Sequence, residues 1–340
     1  MKRKKYLFVF CMLLAITVAG TIFTKIYLNL EEGEKDSEKT HIVTSFYPVY
    51  IGAKNIAGDS SWVTLENLSE PQTGCMHDYQ LTPQDMILLS KADLFLVNGG
   101  GIEGFLADVG ESYPDLAIKK ATEGLELSEA LSEEKVHEEI HGEKDHEELA
   151  GEEEHVHGAE NAHGWMDTRI YRKMIENMAG FMGEADPEHQ SFYEEQAQEY
   201  CGKVQKLTEQ LTKIREEWRT REPEKKNVVI FHEAYAYLAE EAGLNVVYCL
   251  NLDEERQVSA REVADVMEEI ENHQVSAILA EELYGKEMGE MIEKETDCKV
   301  YYLDTLVRGD YDNDSYLTGM QKNIEILQKI LEEEDEKGKD

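Results

Sequence analysis

Apolar runs and amphipathic segments alternate through most of this chain, and their periods predict its elements. Residues 41–46 (HIVTSF) read as a strand and are followed by a helix to about Ala57. A second strand runs from Trp62 to Leu68. Thr82 to Ala92 reads as a helix, with Thr82 as N-cap, Pro83 at the first helical position and Asp85 three residues after the cap. Asp93–Asn98 is a buried-type strand, Ile102–Glu111 a helix and Leu116–Lys120 a short strand. This βα alternation argues for a parallel sheet with helices on both faces.

A helix over Thr168–Glu184 comes next, and Asp186-Pro187 then opens a long one that runs to about Arg221. Its apolar positions are Tyr193, Ala197, Tyr200, Val204, Leu207, Leu211, Ile214 and Trp218, which recur in steps of four and three as one stripe. At about 1.5 Å per residue it spans roughly 50 Å. A coiled-coil dimer would use such a stripe, and so would a strut lying across two domains. The strut is preferred because the βα pattern restarts with strands at 228–231, 245–249, 275–280 and 299–303 and helices at 234–242, 259–272, 286–296 and 316–331. The expectation is two parallel-sheet α/β lobes joined by one long helix. If the second lobe has strand order 2-1-3-4, Cys249 and Cys298 lie on opposite edges, too far apart for a disulfide.

Composition adds boundaries and a compartment. Residues 1–30 begin MKRKK and continue as an apolar run from Tyr6 to Phe23, which reads as a signal peptide or an N-terminal membrane anchor. Val18-Ala19-Gly20 would serve as a cleavage site, but apolar residues continue past it to roughly the 20 needed to span a bilayer, which favours the anchor. No Leu-x-x-Cys lipid-attachment box precedes Cys11. Either way the body is expected outside the cytoplasm. Residues 31–40 form a polar linker, 41–185 the N-terminal lobe, 186–222 the connecting helix and 223–340 the C-terminal lobe. The net charge is −38, and all 72 acidic residues lie beyond residue 30. Such a surface repels nucleic acid and attracts cations. The five cysteines include no CxxC pair, so no zinc–cysteine framework is implied.

One stretch departs from all periodicity. From Val136 to Asp167 the chain reads VHEEIHGEKDHEELAGEEEHVHGAENAHGWMD and holds six of the 11 histidines. A short His-rich tract reads as metal binding, since imidazole suits zinc, copper and nickel. Residues 133–162 are expected to be a loop of the first lobe.

Ligands in open α/β sheets sit beyond the carboxyl ends of the strands. Four ligand-type residues meet that condition. His77 follows the second strand, His163 ends the long loop, His232 directly follows VVIF and Asp304 directly follows VYYL. Two come from each lobe, and three imidazoles with one carboxylate make a tetrahedral set whose nitrogen-rich character favours zinc over manganese.

These positions carry a resemblance. The segment PQTGCMHDYQLTPQD resembles the His-containing loop of the solute-binding proteins of metal ABC transporters (cluster A-I, the zinc-binding ZnuA-like branch with its TroA-like fold). HGWMD at 163–167, FHEAYAYLAEEAGL at 231–244 and YLDTL at 302–306 are similar to three further elements of that family, in the same order. The likeness covers residues 41–333. It implies cation ligands His77, His163, His232 and Asp304, and delivery of Zn2+ as cargo to a membrane permease with an ATPase, by a monomer that is no enzyme. His232 stands where the manganese branch places Glu, which supports zinc. Cys75-Met76 replaces the family's Glu-Pro-type pair, and Cys75 is a candidate extra ligand as a soft thiolate. Ala162 stands where Pro is common. His137, His141, His146, His155 and His157 are expected to make weaker, secondary metal contacts on an acidic arm. Ligand histidines must be neutral, so acid should promote release.

Two motif matches are decoys. His137-Glu138-Glu139-Ile140-His141 fits HExxH, but its flanks are acidic rather than those of an amphipathic helix. Gly99–Gly104 fits GxGxxG after a strand, but it is not in the first βα unit. The competing readings are a manganese or iron carrier of the same family, a zinc-dependent extracellular hydrolase, and an adhesive surface protein.

Overall fold

Two four-stranded parallel sheets stand on either side of one long helix. The computed structural model describes residues 39–70, 76–77, 79–131, 160–252 and 258–337. The chain divides into the units Met1–Lys39 and Thr40–Asp340, and the description concerns the second. The targeting segment, Cys75 and the five arm histidines lie outside the described residues. No helix among the described residues is long and apolar enough to cross a membrane.

The first lobe contains β1 (Thr40–Thr44), α1 (Tyr47–Ala57), β2 (Val63–Asn67), α2 (Pro83–Leu89), β3 (Leu94–Val97), α3 (Leu106–Ser112) and β4 (Ala117–Lys120). Then come α4 (Thr168–Ala185) and α5 (Gln190–Arg219). The second lobe contains β5 (Asn227–Ile230), α6 (Ala234–Ala242), β6 (Asn245–Cys249), α7 (Ala260–His273), β7 (Ala277–Ala280), α8 (Glu282–Glu295), β8 (Lys299–Tyr302) and α9 (Ser315–Lys337). The strand orders are β2-β1-β3-β4 and β6-β5-β7-β8, the 2-1-3-4 arrangement in both lobes. Cys249 therefore ends one edge strand and Cys298 leads into the other. Both are buried, and two intervening strands at about 4.8 Å spacing keep them well beyond disulfide reach of each other.

Local chemistry sets the ends of the elements. Thr82 and Asp85 form a reciprocal capping box at the start of α2. α3 begins at Leu106, later than the periodicity predicts. The reason is the turn before it. Gly99, Gly100 and Gly101 have φ of 91°, 64° and 86°, a region that L side chains rarely adopt. Glu103 folds back so that its carboxylate accepts the Asn98 N–H at 2.6 Å, the Gly99 N–H at 3.0 Å and the Ser45 hydroxyl at 2.8 Å. Burial pushes this carboxyl up despite those bonds. The glycine turn also backs the His163 segment. Asn98 Nδ2 donates to the Ala162 carbonyl at 2.9 Å, and a Cβ on Gly100 would come within 3.0 Å of Ala162 Cα.

α5 has 30 residues, about 45 Å at 1.5 Å per residue. A short 3-10 turn at Pro187–His189 precedes it. All eight positions of the sequence stripe are buried, packed against α1, α4, α6 and α9. The stripe is thus satisfied within the chain, as a strut requires. One apolar core runs from the first sheet through α5 to one face of the second sheet, and a separate core fills that sheet's other face. The lobes are also tied directly. Asn55 Nδ2 donates to the Asn313 carbonyl at 2.9 Å, Asn67 Nδ2 to the Tyr311 hydroxyl at 2.8 Å, and the Tyr311 hydroxyl to the Ser69 carbonyl at 3.1 Å. Lys54 and Tyr47 reach the carbonyls of Tyr311 and Asp310.

Candidate metal centre

His77, His163, His232 and Asp304 all lie beyond the carboxyl ends of strands. His77 sits in the β2–α2 loop with its side chain 46% exposed, whereas His163 is 1% exposed. The His163 ring centroid is 5.3 Å from that of His77 and 4.9 Å from that of His232, so two imidazoles, one from each lobe, flank the buried ring of a third. Asp304 is not drawn in as closely. Among the described residues, the group whose ligand atoms lie within 4.8 Å of one another is His77, His163 and Glu233, and neither His232 nor Asp304 completes a set at that spacing. Asp304 Oδ1 accepts the Leu306 N–H at 2.7 Å, and its own N–H donates to Asn323 Oδ1 at 2.8 Å. Although solvent reaches this residue, desolvation by the surrounding protein raises its carboxyl, with the Leu306 N–H, Lys322 and Arg308 opposing.

His163 is the most tightly specified ligand candidate. Asn161 Nδ2 donates to the Glu233 carbonyl at 3.0 Å and Asn161 Oδ1 accepts the His163 N–H at 3.1 Å, which fixes the orientation of the amide. Asn161 Oδ1 is then an acceptor for His163 Nδ1 at 2.8 Å. The ring proton is therefore assigned to Nδ1 and the lone pair to Nε2, as a metal-ligating imidazole requires. Burial, with the nearby His232 and His77, holds the His163 pKa well below its ordinary value, so the ring is neutral at neutral pH.

His232 is set differently. Its Nδ1 accepts the Ala234 N–H at 3.1 Å, which commits that lone pair to the first turn of α6. Ligation through Nε2 needs the other tautomer, and so a turned ring.

Glu233 and Asn161 were not among the residues singled out from the sequence. Glu233 had one signal, its place directly after His232. Asn161 had its place two residues before His163. The Glu233 carboxylate lies 3.5 Å from His163 Nδ1 and 4.0 Å from His77 Nε2. Burial raises its pKa, and a hydrogen bond with the Leu131 backbone opposes that.

Trp165 and Asp167 of the HGWMD motif build the walls. Trp165 is fully buried, its Nε1–H donates to the Thr305 carbonyl at 2.9 Å, and Phe46 meets its ring edge-on at 5.2 Å. Asp167 caps α4 by accepting the N–H groups of Arg169 and Ile170. The next residue, Thr168, donates its N–H to Glu241 of the second lobe at 2.8 Å. The ends of the His-rich tract are held together beside this motif. Glu129 and Glu160 form a β-bridge, and the Asn161 N–H donates to the Ser128 carbonyl at 2.8 Å.

A family model described as zinc-uptake complex component A, periplasmic, matches residues 42–330. The chain belongs to this family. A relative from Bacillus subtilis, the high-affinity zinc uptake system protein ZnuA, is 30% identical over 310 residues, covering 88% of this chain and 91% of its own. The iron-binding protein YfeA of Yersinia pestis is 26% identical, covering 86% of each chain. Among solved structures, a Zn(II)-bound mutant of AdcAII from Streptococcus pneumoniae superposes with a TM-score of 0.67 at 24% identity, over 87% of this chain and 99% of that one; at that identity it speaks for the fold. The ZnuA-family chain is thus a solute-binding component of metal uptake and not an enzyme. The HExxH match within the tract and the hydrolase reading fall with that assignment.

Proposed function

We propose that this chain captures Zn2+ outside the cytoplasm, between its two lobes, and delivers it to the permease of an ABC-type importer driven by a cytoplasmic ATPase. The observation that carries the reading is His163, a buried and neutral imidazole with its lone pair assigned to Nε2, flanked by two further imidazoles at about 5 Å between ring centroids. Nitrogen-rich donors suit Zn2+ better than harder cations. His77, His163, His232 and Asp304 are the proposed ligands. Loading draws Asp304 inward and turns His232 away from the Ala234 N–H. The ties between α1 and the 310–313 segment keep that motion small. The acidic body steers cations inward. The N-terminal segment anchors a monomer to the membrane. The iron-binding name of one relative keeps a harder cation as the second reading, and the Glu233 oxygen beside the imidazoles favours it in part.

Zinc titration against a competing chelator tests this on the intact protein and on one lacking residues 132–159. Because Glu129 and Glu160 already pair, the ends left by the deletion lie close enough to rejoin. Both proteins are expected to bind one Zn2+ tightly, with additional weak sites only in the intact one. Loss of the tight site on deletion would place capture in the tract and overturn the assignment to the cleft.

A further inference from the structure

We infer that Glu233 is a cation ligand in its own right and sets how well this cleft accepts cations harder than zinc. The inference rests on the capture reading above and adds a residue to it.

Glu233 stands at the N-cap of α6 but makes no capping bond to that helix, and its carboxylate accepts instead from the Leu131 backbone. The side chain is 13% exposed and points at the gathered imidazoles. The carboxylate has a neutral imidazole, His163, at 3.5 Å and the half-exposed His77 at 4.0 Å, and a carboxylate left incompletely compensated in a partly dry site is costly. Its backbone is pinned from both directions. The Glu233 N–H donates to Asn251 Oδ1 at 3.1 Å, and its carbonyl accepts Asn161 Nδ2 at 3.0 Å. The second bond comes from the amide that also assigns the His163 tautomer, so Glu233 and His163 are positioned by one side chain. A divalent cation arriving at His77 and His163 neutralises the carboxylate and has an oxygen within a short side-chain rotation, since one ligand atom of each of the three residues lies within 4.8 Å of the others.

The chemistry of the donor set gives the consequence. Zn2+ is satisfied by four donors, and three imidazoles with Asp304 suffice. Mn2+ prefers oxygen donors and higher coordination numbers. A second carboxylate therefore matters more to Mn2+ than to Zn2+.

The test is competitive titration of wild type, Glu233→Gln and Glu233→Asp with Zn2+ alone and with Mn2+ alone. Circular dichroism and melting of the cation-free proteins serve as folding controls. The isosteric glutamine removes the charge, and the aspartate draws it back by one methylene. Glu233→Gln is expected to weaken both cations, with Mn2+ losing at least about tenfold more than Zn2+, and Glu233→Asp to fall between it and wild type. Affinities equal to wild type for both cations, in a variant that melts normally, would overturn the ligand role. Equal losses for both would overturn the selective one. If wild type itself binds neither cation, the capture reading fails and this inference with it.

Discussion

Replacing His163 by alanine lowers Zn2+ affinity by at least about a hundredfold and removes most of the zinc-induced rise in melting temperature. Of the three imidazoles, His163 alone combines full burial, an assigned tautomer and a pKa held down by its surroundings. Each feature lowers the cost of ligation, because no proton must leave at neutral pH and no ring must turn. Changing an outer partner of a ligating histidine already costs about 10–100-fold, and loss of the ligand itself costs more. A ligand at 1,000 times its Kd adds about 4 kcal/mol of stability, so the thermal shift reports the same event independently. His137→Ala, in the arm, is the matched control and leaves both readouts at wild-type values. A His163→Ala protein that still binds one Zn2+ with wild-type affinity would remove this residue from the site.

Trp165→Ala is the second large effect, and it acts on the fold. The indole is fully buried between the lobes, Nε1 reaches the Thr305 carbonyl and the Trp165 carbonyl accepts the Tyr316 hydroxyl at 2.8 Å. Truncating a buried tryptophan costs about 3–5 kcal/mol, which lowers Tm by roughly 10 °C in a unit of this size. Trp165→Phe keeps most of the packing and loses the bond to Thr305, leaving a buried acceptor without its donor at a cost of about 1–3 kcal/mol. The expected order of Tm is wild type, then phenylalanine, then alanine, measured without added cation. A Tm for Trp165→Ala within a degree of wild type would show that the lobes are joined without this contact.

Much of this architecture was legible in the sequence because it is periodic. The alternation of apolar runs and amphipathic segments gives two parallel sheets, and the eight-position stripe of α5 gives a helix that packs on both. The motif order placed His77, His163 and His232 around one point, since residues following parallel strands converge there. What the sequence hid has no period. The delayed start of α3 depends on three positive-φ glycines and on Glu103 turning back onto their amides. Glu233 and Asn161 matter through neighbours far away in the chain, and nothing in the local pattern separates either from a loop or cap residue. The His-rich tract drew attention through composition; of its six histidines His163 alone falls among the described residues, where it is buried next to the paired Glu129 and Glu160.

The central claim is that imidazoles of the cleft hold the cargo. X-ray absorption at the zinc edge, on protein carrying one equivalent of Zn2+, tests it most directly. The expected spectrum has a first shell of nitrogen and oxygen near 2.0–2.1 Å, with the outer-ring scattering of about three imidazoles, and is unchanged after removal of residues 132–159. A sulfur neighbour at about 2.3 Å would bring in a thiolate such as Cys75, and a spectrum without imidazole scattering would contradict the account outright.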